Sequence, residues 1–337
     1  MNTVFCLFSN CIPIKGFRRS IIYDLTRFEY QFIPNSLYDI LNNFNGKSIN
    51  FIKEKYKDHG STIDEYFNFL LENDYIFFCK EKEIKRFPKL NYTWDYPGEI
   101  SNCIFEIEDS FSIDIKTLIT NLKSLGCNHI HLFYKTSLFE MDQLINIISI
   151  INRSPFKSIE ISIPFDKDIN INLFNIFCQG NLNVSEVNFY NSPYEKKSRL
   201  KNTNTRLTYQ PHNKYLSDKK ETFNFHVDMN LFMESQKHNT FFNRKLIVSS
   251  LGFFTNSIKN NRHKWWLHKD SLTKVIHTDK FRENWFSNKD SIKICKDCEF
   301  RYMCVDNRTP VKDDKKNEWY FDTKCSYNPY EAKWDVI

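Results

Sequence analysis

Residues 295–304 read CKDCEFRYMC, and a fourth cysteine, Cys325, follows in the run KCSYNPY. The pattern is C-x2-C-x5-C-x20-C, while the remaining six cysteines, Cys6, Cys11, Cys79, Cys103, Cys127 and Cys178, stand far apart. A C-x2-C loop turns two thiolates inward onto one centre, and the later cysteines Cys304 and Cys325 complete a four-sulfur set. Spacing admits two disulfides, a tetrahedral Zn²⁺ or a [4Fe–4S] cluster, and does not choose among them.

Outward from this run, 337 residues predict two or three domains. The chain is 41% hydrophobic and 16% aromatic, enough for globular cores. A formal charge of +6 is too diffuse for a dedicated nucleic-acid binder, and no apolar run reaches the ~18 residues of a membrane helix. The opening MNTVFCLFSNCIPIKGF lacks the charged start of a signal peptide and reads as a strand. A cytoplasmic setting is expected, where thiols stay reduced and clustered cysteines favour metal over disulfides.

Residues 1–88 predict a winged-helix-like unit. RRSIIYDL and RFEYQFIP flank a turn near Asp24–Thr26, and Phe28, Tyr30 and Phe32 alternate with polar residues as in a half-buried strand. Three helices follow. The first carries Leu37, Ile40, Leu41 and Phe44, and the second Ile49, Ile52 and Tyr56. The third opens on a Thr62–Glu65 capping box and buries Ile63, Tyr66, Phe67, Leu70 and Leu71. DYIFFCKEKEIKRF reads as a terminal wing. The third helix has no Lys or Arg but carries Asp64, Glu65 and Glu72, which disfavours DNA docking and a DNA-binding regulator. A hairpin of this kind also accepts a peptide as an added strand, with Phe28, Tyr30, Phe32 and Tyr66 as candidate contacts.

After the linker KLNYTWDYPGE, strand patterns begin near residues 103, 128, 157 and 184, with helical runs between. One helix presents Ile115, Leu118, Ile119, Leu122 and Leu125 and ends at Gly126. The next is boxed by Ser137 and Glu140 and presents Met141, Leu144, Ile145, Ile148 and Ile151. This alternation predicts a partial βα barrel over residues 98–235. NSPYEKKSRLKNTNTR reads as a basic surface loop. Residues 236–337 hold the cysteine run and all but one tryptophan. Trp265, Trp266, Trp285, Trp319 and Trp334 are expected to shield the sulfurs or fill a core. His277 and Asp279 would share one face of an extended segment, and Arg301 and Arg308 flank the cysteines.

CKDCEFRYMC followed by KCSYNPYEAKW resembles the end of a SPASM domain, the auxiliary iron–sulfur extension of radical SAM peptide-modifying enzymes. The resemblance implies one [4Fe–4S] cluster on Cys295, Cys298, Cys304 and Cys325, with Zn²⁺ as the alternative. Two departures limit it. Position 308 is Arg where a second auxiliary cluster draws on a cysteine, and NRKLIVSSLGFFTNS keeps Gly252 but offers Asn256 and Ser257. The loop EDSFSIDIK, where the catalytic C-x3-C-x2-C would sit, has no cysteine, so no SAM cluster is expected.

Together with GFRRSIIYDL and FIPNSLYDIL, this pattern is similar to the SPASM proteins of grasp-with-spasm systems. That resemblance implies an α/β chain: an N-terminal winged-helix-like peptide-recognition domain, a degenerate radical-SAM-like partial βα barrel and a C-terminal SPASM-like metal domain. It implies an accessory maturase that binds a ribosomal precursor peptide and assists an ATP-grasp ligase, with no catalytic residue of its own. A redox or radical peptide-modifying enzyme using the auxiliary cluster is the alternative.

Overall fold

A computed structural model describes residues 3–136, 139–153, 156–211, 224–257, 263–313, 315–316 and 318–335. The N-terminal unit contains β1 (Thr3–Leu7), β2 (Cys11–Ile14), β3 (Ser20–Asp24), β4 (Glu29–Ile33), α1 (Asn35–Phe44), α2 (Ile49–Lys55), α3 (Gly60–Glu72) and β5 (Ile76–Lys80). Strands β2, β3 and β4 form an antiparallel sheet in that order. The β3–β4 turn is held by Asp24, whose carboxylate accepts from the backbone N–H groups of Thr26 and Arg27 at 2.9 Å each. The α1 face is as expected, with Leu37, Ile40, Leu41 and Phe44 buried.

Four local expectations are corrected. The opening run folds as two strands, β1 and β2, separated by a turn. Helix α3 begins at Gly60 without a side-chain cap, so Thr62 and Glu65 lie inside it, and Leu71 turns to solvent. The wing is half a wing: β5 pairs back onto β1, and residues 81–86 continue as a 3-10 helix. Its composition could not show this, because strand partners are set by tertiary packing.

The central unit runs β6 (Asn102–Ile107), α4 (Ile115–Ser124), β7 (His129–Tyr134), α5 (Met141–Ile151), β8 (Ser158–Pro164), α6 (Ile171–Gly180), β9 (Val184–Tyr190), β10 (Lys196–Arg199) and β11 (Arg206–Gln210). The chain continues through β12 (Asn224–Phe225), α7 (Met229–Ser235), β13 (Lys245–Ser249), β14 (Phe253–Thr255) and β15 (Trp265–Trp266). The sheet order is β10-β11-β9-β8-β7-β6-β13-β14-β15. The run from β11 to β13 is parallel, the outer strands are antiparallel, and among the described residues the sheet is open at both edges. The stretch KKSR is thus an edge strand and not a loop. Strand β10 is polar and lies on a sheet edge, which is why it lacks an apolar signature.

One face of this sheet is apolar and packs under α4, α5 and α6 through Phe105, Leu132, Ile161, Val187 and their neighbours. Helix α5 turns Ile147 inward where Ile145 was expected; Ile145 is 45% exposed. Ser137, the other half of its expected box, lies outside the described residues, and Glu140 caps the helix without a side-chain bond. Gly126 closes α4 at φ 77°, and a Cβ there would stand 2.6 Å from the Gly98 Cα. Only glycine fits. The opposite sheet face buries polar side chains, among them Glu106, His131, Ser162, Asn188, Thr208 and Lys245.

The last unit contains α8 (Leu272–Val275), α9 (Asp279–Arg282), β16 (Cys304–Val305), β17 (Val311–Asp313), β18 (Glu318–Tyr320), β19 (Tyr327–Asn328) and β20 (Lys333–Trp334). It is not separate from the N-terminal sheet. Ile12, Ile14, Ile21 and Tyr23 share one buried cluster with Phe300, Met303 and Tyr327. The other face of the same sheet, through Ile22 and Ile33, packs with α1 and α3. Among the described residues no helix is long and apolar enough to cross a membrane.

Candidate cysteine centre

Ile294 adopts φ 70°, ψ −47°, a left-handed conformation that a β-branched residue rarely takes. This bend precedes a 3-10 turn over Cys295–Asp297, closed by Cys298 N–H donating to the Cys295 carbonyl at 3.0 Å. Cys304 lies on β16, which pairs antiparallel with β12, Phe225 opposite Cys304. Cys325 enters from the loop before β19. These three routes bring Cys295, Cys298, Cys304 and Cys325 to the wall of one small cavity of about 30 Å³. As the thiols stand, no three His, Cys, Asp or Glu side chains among the described residues converge to hold a single ion.

The surroundings are cationic. Lys289, Arg301 and Arg308 line the cavity with the sulfurs. Lys289 and Arg308 are buried and share Asp306: Lys289 Nζ lies 3.2 Å and Arg308 Nη2 2.6 Å from its Oδ2. Arg301 donates to the carbonyls of Cys298 at 3.0 Å and Lys15 at 2.6 Å. Burial pushes the Cys295 thiol up to about 11, opposed by the Lys289 charge, and burial also pushes Cys298 up. A metal that binds thiols takes them as thiolates and displaces their protons. In chemistry, though not in their present convergence, four thiols behind a positive fence suit an anionic thiolate-bound centre.

The β2–β3 hairpin grips this cysteine loop directly. Phe17 N–H donates to the Asp297 carbonyl at 2.8 Å, and Tyr23 Oη donates to the Glu299 carbonyl at 3.1 Å. A Cβ on Gly16 would meet the Glu299 Cβ at 2.9 Å, so the close approach requires glycine. Glu299, fully buried, accepts from Arg19 Nε at 2.8 Å and from the Tyr327 hydroxyl. This clasp, built from GFRRS, had no periodic signal in the sequence.

The four aromatic candidates are divided by the fold. Phe28 sits at φ 61° in the β3–β4 turn and is 67% exposed. Tyr30 and Phe32 do not line the α3 side. Both point to the cysteine unit, each 5.8 Å ring to ring from Phe300, which itself lines the sulfur cavity. Tyr66 packs in the helical core on the other face, its hydroxyl 2.7 Å from Ser36 Oγ. Strand alternation causes the split, because residues 30 and 32 share a face and Ile33 takes the opposite one.

His277 and Asp279 do not form a pair on a strand. His277 precedes α9, with Nδ1 2.8 Å from Arg282 Nη2 and 3.9 Å from Glu99. Trp285 fills the core of the central unit, whereas Trp266 and Trp334 are partly exposed. Trp334 stacks near Phe300 and Tyr327 beside the cysteine cavity. Asn256 and Ser257 are buried, and Asn256 donates to the carbonyls of Phe242 and Lys245 at 3.0 and 2.6 Å. The isolated cysteines Cys11, Cys103, Cys127 and Cys178 are core residues, but Cys6 and Cys79 meet at 3.4 Å.

Fold and site define a mixed α/β protein with a large parallel sheet and a cysteine-lined, cation-fenced cavity. No protein-family model matches the chain, and no curated protein matches it. Among solved structures it is similar to SuiB of Streptococcus suis bound to S-adenosylmethionine, at 10% identity and a TM-score of 0.30, covering 89% of this chain and 94% of that one. It is likewise similar to SuiB bound to the precursor peptide SuiA, at 11% identity and a TM-score of 0.31, with the same coverage. Similarity of this degree assigns no residue and no activity.

Proposed function

We propose that the chain is an accessory maturase for a ribosomally made peptide, holding one [4Fe–4S] cluster on Cys295, Cys298, Cys304 and Cys325. The observation that carries this is the gathering of the four thiols of residues 295–325 into one cavity fenced by Lys289, Arg301 and Arg308. A zinc ion at ~2.3 Å from each sulfur would need the sulfurs within about 3.8 Å of one another. Tetrahedral thiolate geometry suits either occupant, and the choice of cluster over zinc rests on the resemblance to a SPASM domain. Such a cluster, fully ligated by protein, supplies structural cross-linking or electron relay. The chain's own residues seal the cavity, balance its negative charge and orient the CxxC loop through the Gly16–Arg19 clasp.

The precursor peptide is assigned to the outer edge of β4, where main-chain groups on one side have no neighbouring strand among the described residues. A strand added there lies beside Tyr30 and Phe32, one ring from Phe300 and the cysteine cavity. Peptide and cluster sites would thus be joined through packed aromatic rings. The sequence has no Gly-rich phosphate loop, so the ATP-dependent step is assigned to a separate ATP-grasp ligase. Anaerobic purification should yield a brown protein with about four irons per chain. That protein should retain the precursor and the ligase in pull-downs at micromolar concentration. A colourless protein with one zinc overturns the iron assignment. Failure to retain either partner overturns the maturase role.

A further inference from the structure

We propose that Cys6 and Cys79 are a reversible dithiol–disulfide pair that staples β1 to β5 when the protein meets a disulfide oxidant. The two Sγ atoms lie 3.4 Å apart although 73 residues separate them in sequence. In the antiparallel register Cys79 stands opposite Val4, and Cys6 opposite Phe77. Cys6 is therefore two residues from the position facing Cys79. Period-two alternation puts both thiols on one face of the ladder as a diagonal pair.

Closing the bond to about 2.05 Å needs a further approach of roughly 1.4 Å. The place permits it. Cys79 is the penultimate residue of β5, just before the chain turns into a 3-10 helix, and the sheet has only two strands. Access is graded. Cys6 is 5% exposed, whereas Cys79 is only half-buried, so an oxidant reaches Cys79 first.

With glutathione disulfide as oxidant, the Cys79 thiolate attacks one of its sulfurs and releases one glutathione thiolate. Cys6, having lost its proton, then attacks the Cys79 sulfur of the mixed disulfide and expels the second. Two protein thiols lose two protons and two electrons, and one glutathione disulfide becomes two thiols. Because Cys6, Leu7 and Phe77 line an open groove of about 650 Å³ beside the Arg86–Leu90 segment, the staple would fix one wall of that groove.

The test uses the full chain, equilibrated in reduced or oxidised glutathione, quenched with iodoacetamide and mapped by peptide mass spectrometry. The oxidised sample should give a single cross-linked peptide joining Cys6 to Cys79, and reduction should restore two alkylated peptides. In Cys6→Ser, Cys79 should carry glutathione instead. The urea midpoint should rise on oxidation of the wild type and stay unchanged in Cys6→Ser. Alkylation or glutathionylation of both residues in the oxidised wild type, with no joined peptide, would overturn the pair.

Discussion

Arg19 donates its Nε–H to Glu299 Oε1 at 2.8 Å across 280 residues of sequence, while its guanidinium lies 3.5 Å from the centre of the Phe32 ring. One side chain thus ties the hairpin loop, the β4 aromatic face and the CxxC loop together. Glu299 is fully buried, and its Oε2 has no hydrogen-bond partner among the described residues. Removing the arginine leaves a buried carboxylate held only by the Tyr327 hydroxyl. Arg19→Ala should cost about 2–3 kcal/mol in urea unfolding, below the range for a fully buried pair because Arg19 is partly exposed. Arg19→Ala, Glu299→Gln double variants should recover part of that loss; an equal or larger loss would refute the charge argument.

If the four cavity cysteines hold the proposed cluster, serine in place of any of them should abolish it and loosen more than its own unit. Ile12, Ile14, Ile21 and Tyr23 share a core with Phe300, Met303 and Tyr327, so β2 and β3 should lose hydrogen-exchange protection along with residues 295–334. Helix α3, packed on the other face, should keep it. Protection lost equally in α3 would show that the two cores unfold as one.

Phe28 stores strain at φ 61° while remaining mostly exposed. Phe28→Gly should therefore stabilise the protein by about 0.5–1 kcal/mol, since glycine takes this conformation freely. If the peptide docks along β4, the same change should weaken peptide binding severalfold in fluorescence anisotropy. A stabilised variant with unchanged affinity would remove Phe28 from the peptide site.

Lys245 lies at the start of β13, its Nζ 3.4 Å from the Phe241 ring centre, and burial lowers its pKa to about 7 from 10.5. Its folded pKa is below its unfolded one, so between these values the unfolded chain binds more protons, and this contribution to stability rises with pH. Burial raises nearby Glu234 to about 7, which acts oppositely: that contribution is present below 4.5 and is lost as pH climbs through 7. Lys245→Met should be more stable than wild type by a few kcal/mol below pH 7, the advantage shrinking towards pH 10.5. Parallel stability–pH curves for the two proteins would contradict this.

What the sequence by itself determined was local. The spacing of Leu37, Ile40, Leu41 and Phe44 specified one helix face, the four apolar runs from residue 103 specified parallel strands, and Gly126 marked a helix end. That Cys295, Cys298, Cys304 and Cys325 line one cavity was legible because their close spacing is a property of the chain. Tertiary structure decided the rest. Whether Tyr30 and Phe32 face α3 or Phe300, whether Ile145 or Ile147 is buried, and which strand β5 joins depend on the neighbour that covers each face. Periodicity names a face but not its partner. The Arg19–Glu299 bond and the Cys6–Cys79 approach join residues 280 and 73 positions apart, and no local pattern encodes a contact between distant segments. Burial of the β2-β3-β4 sheet between the helices and the cysteine unit set the first, and the antiparallel pairing of β1 with β5 set the second.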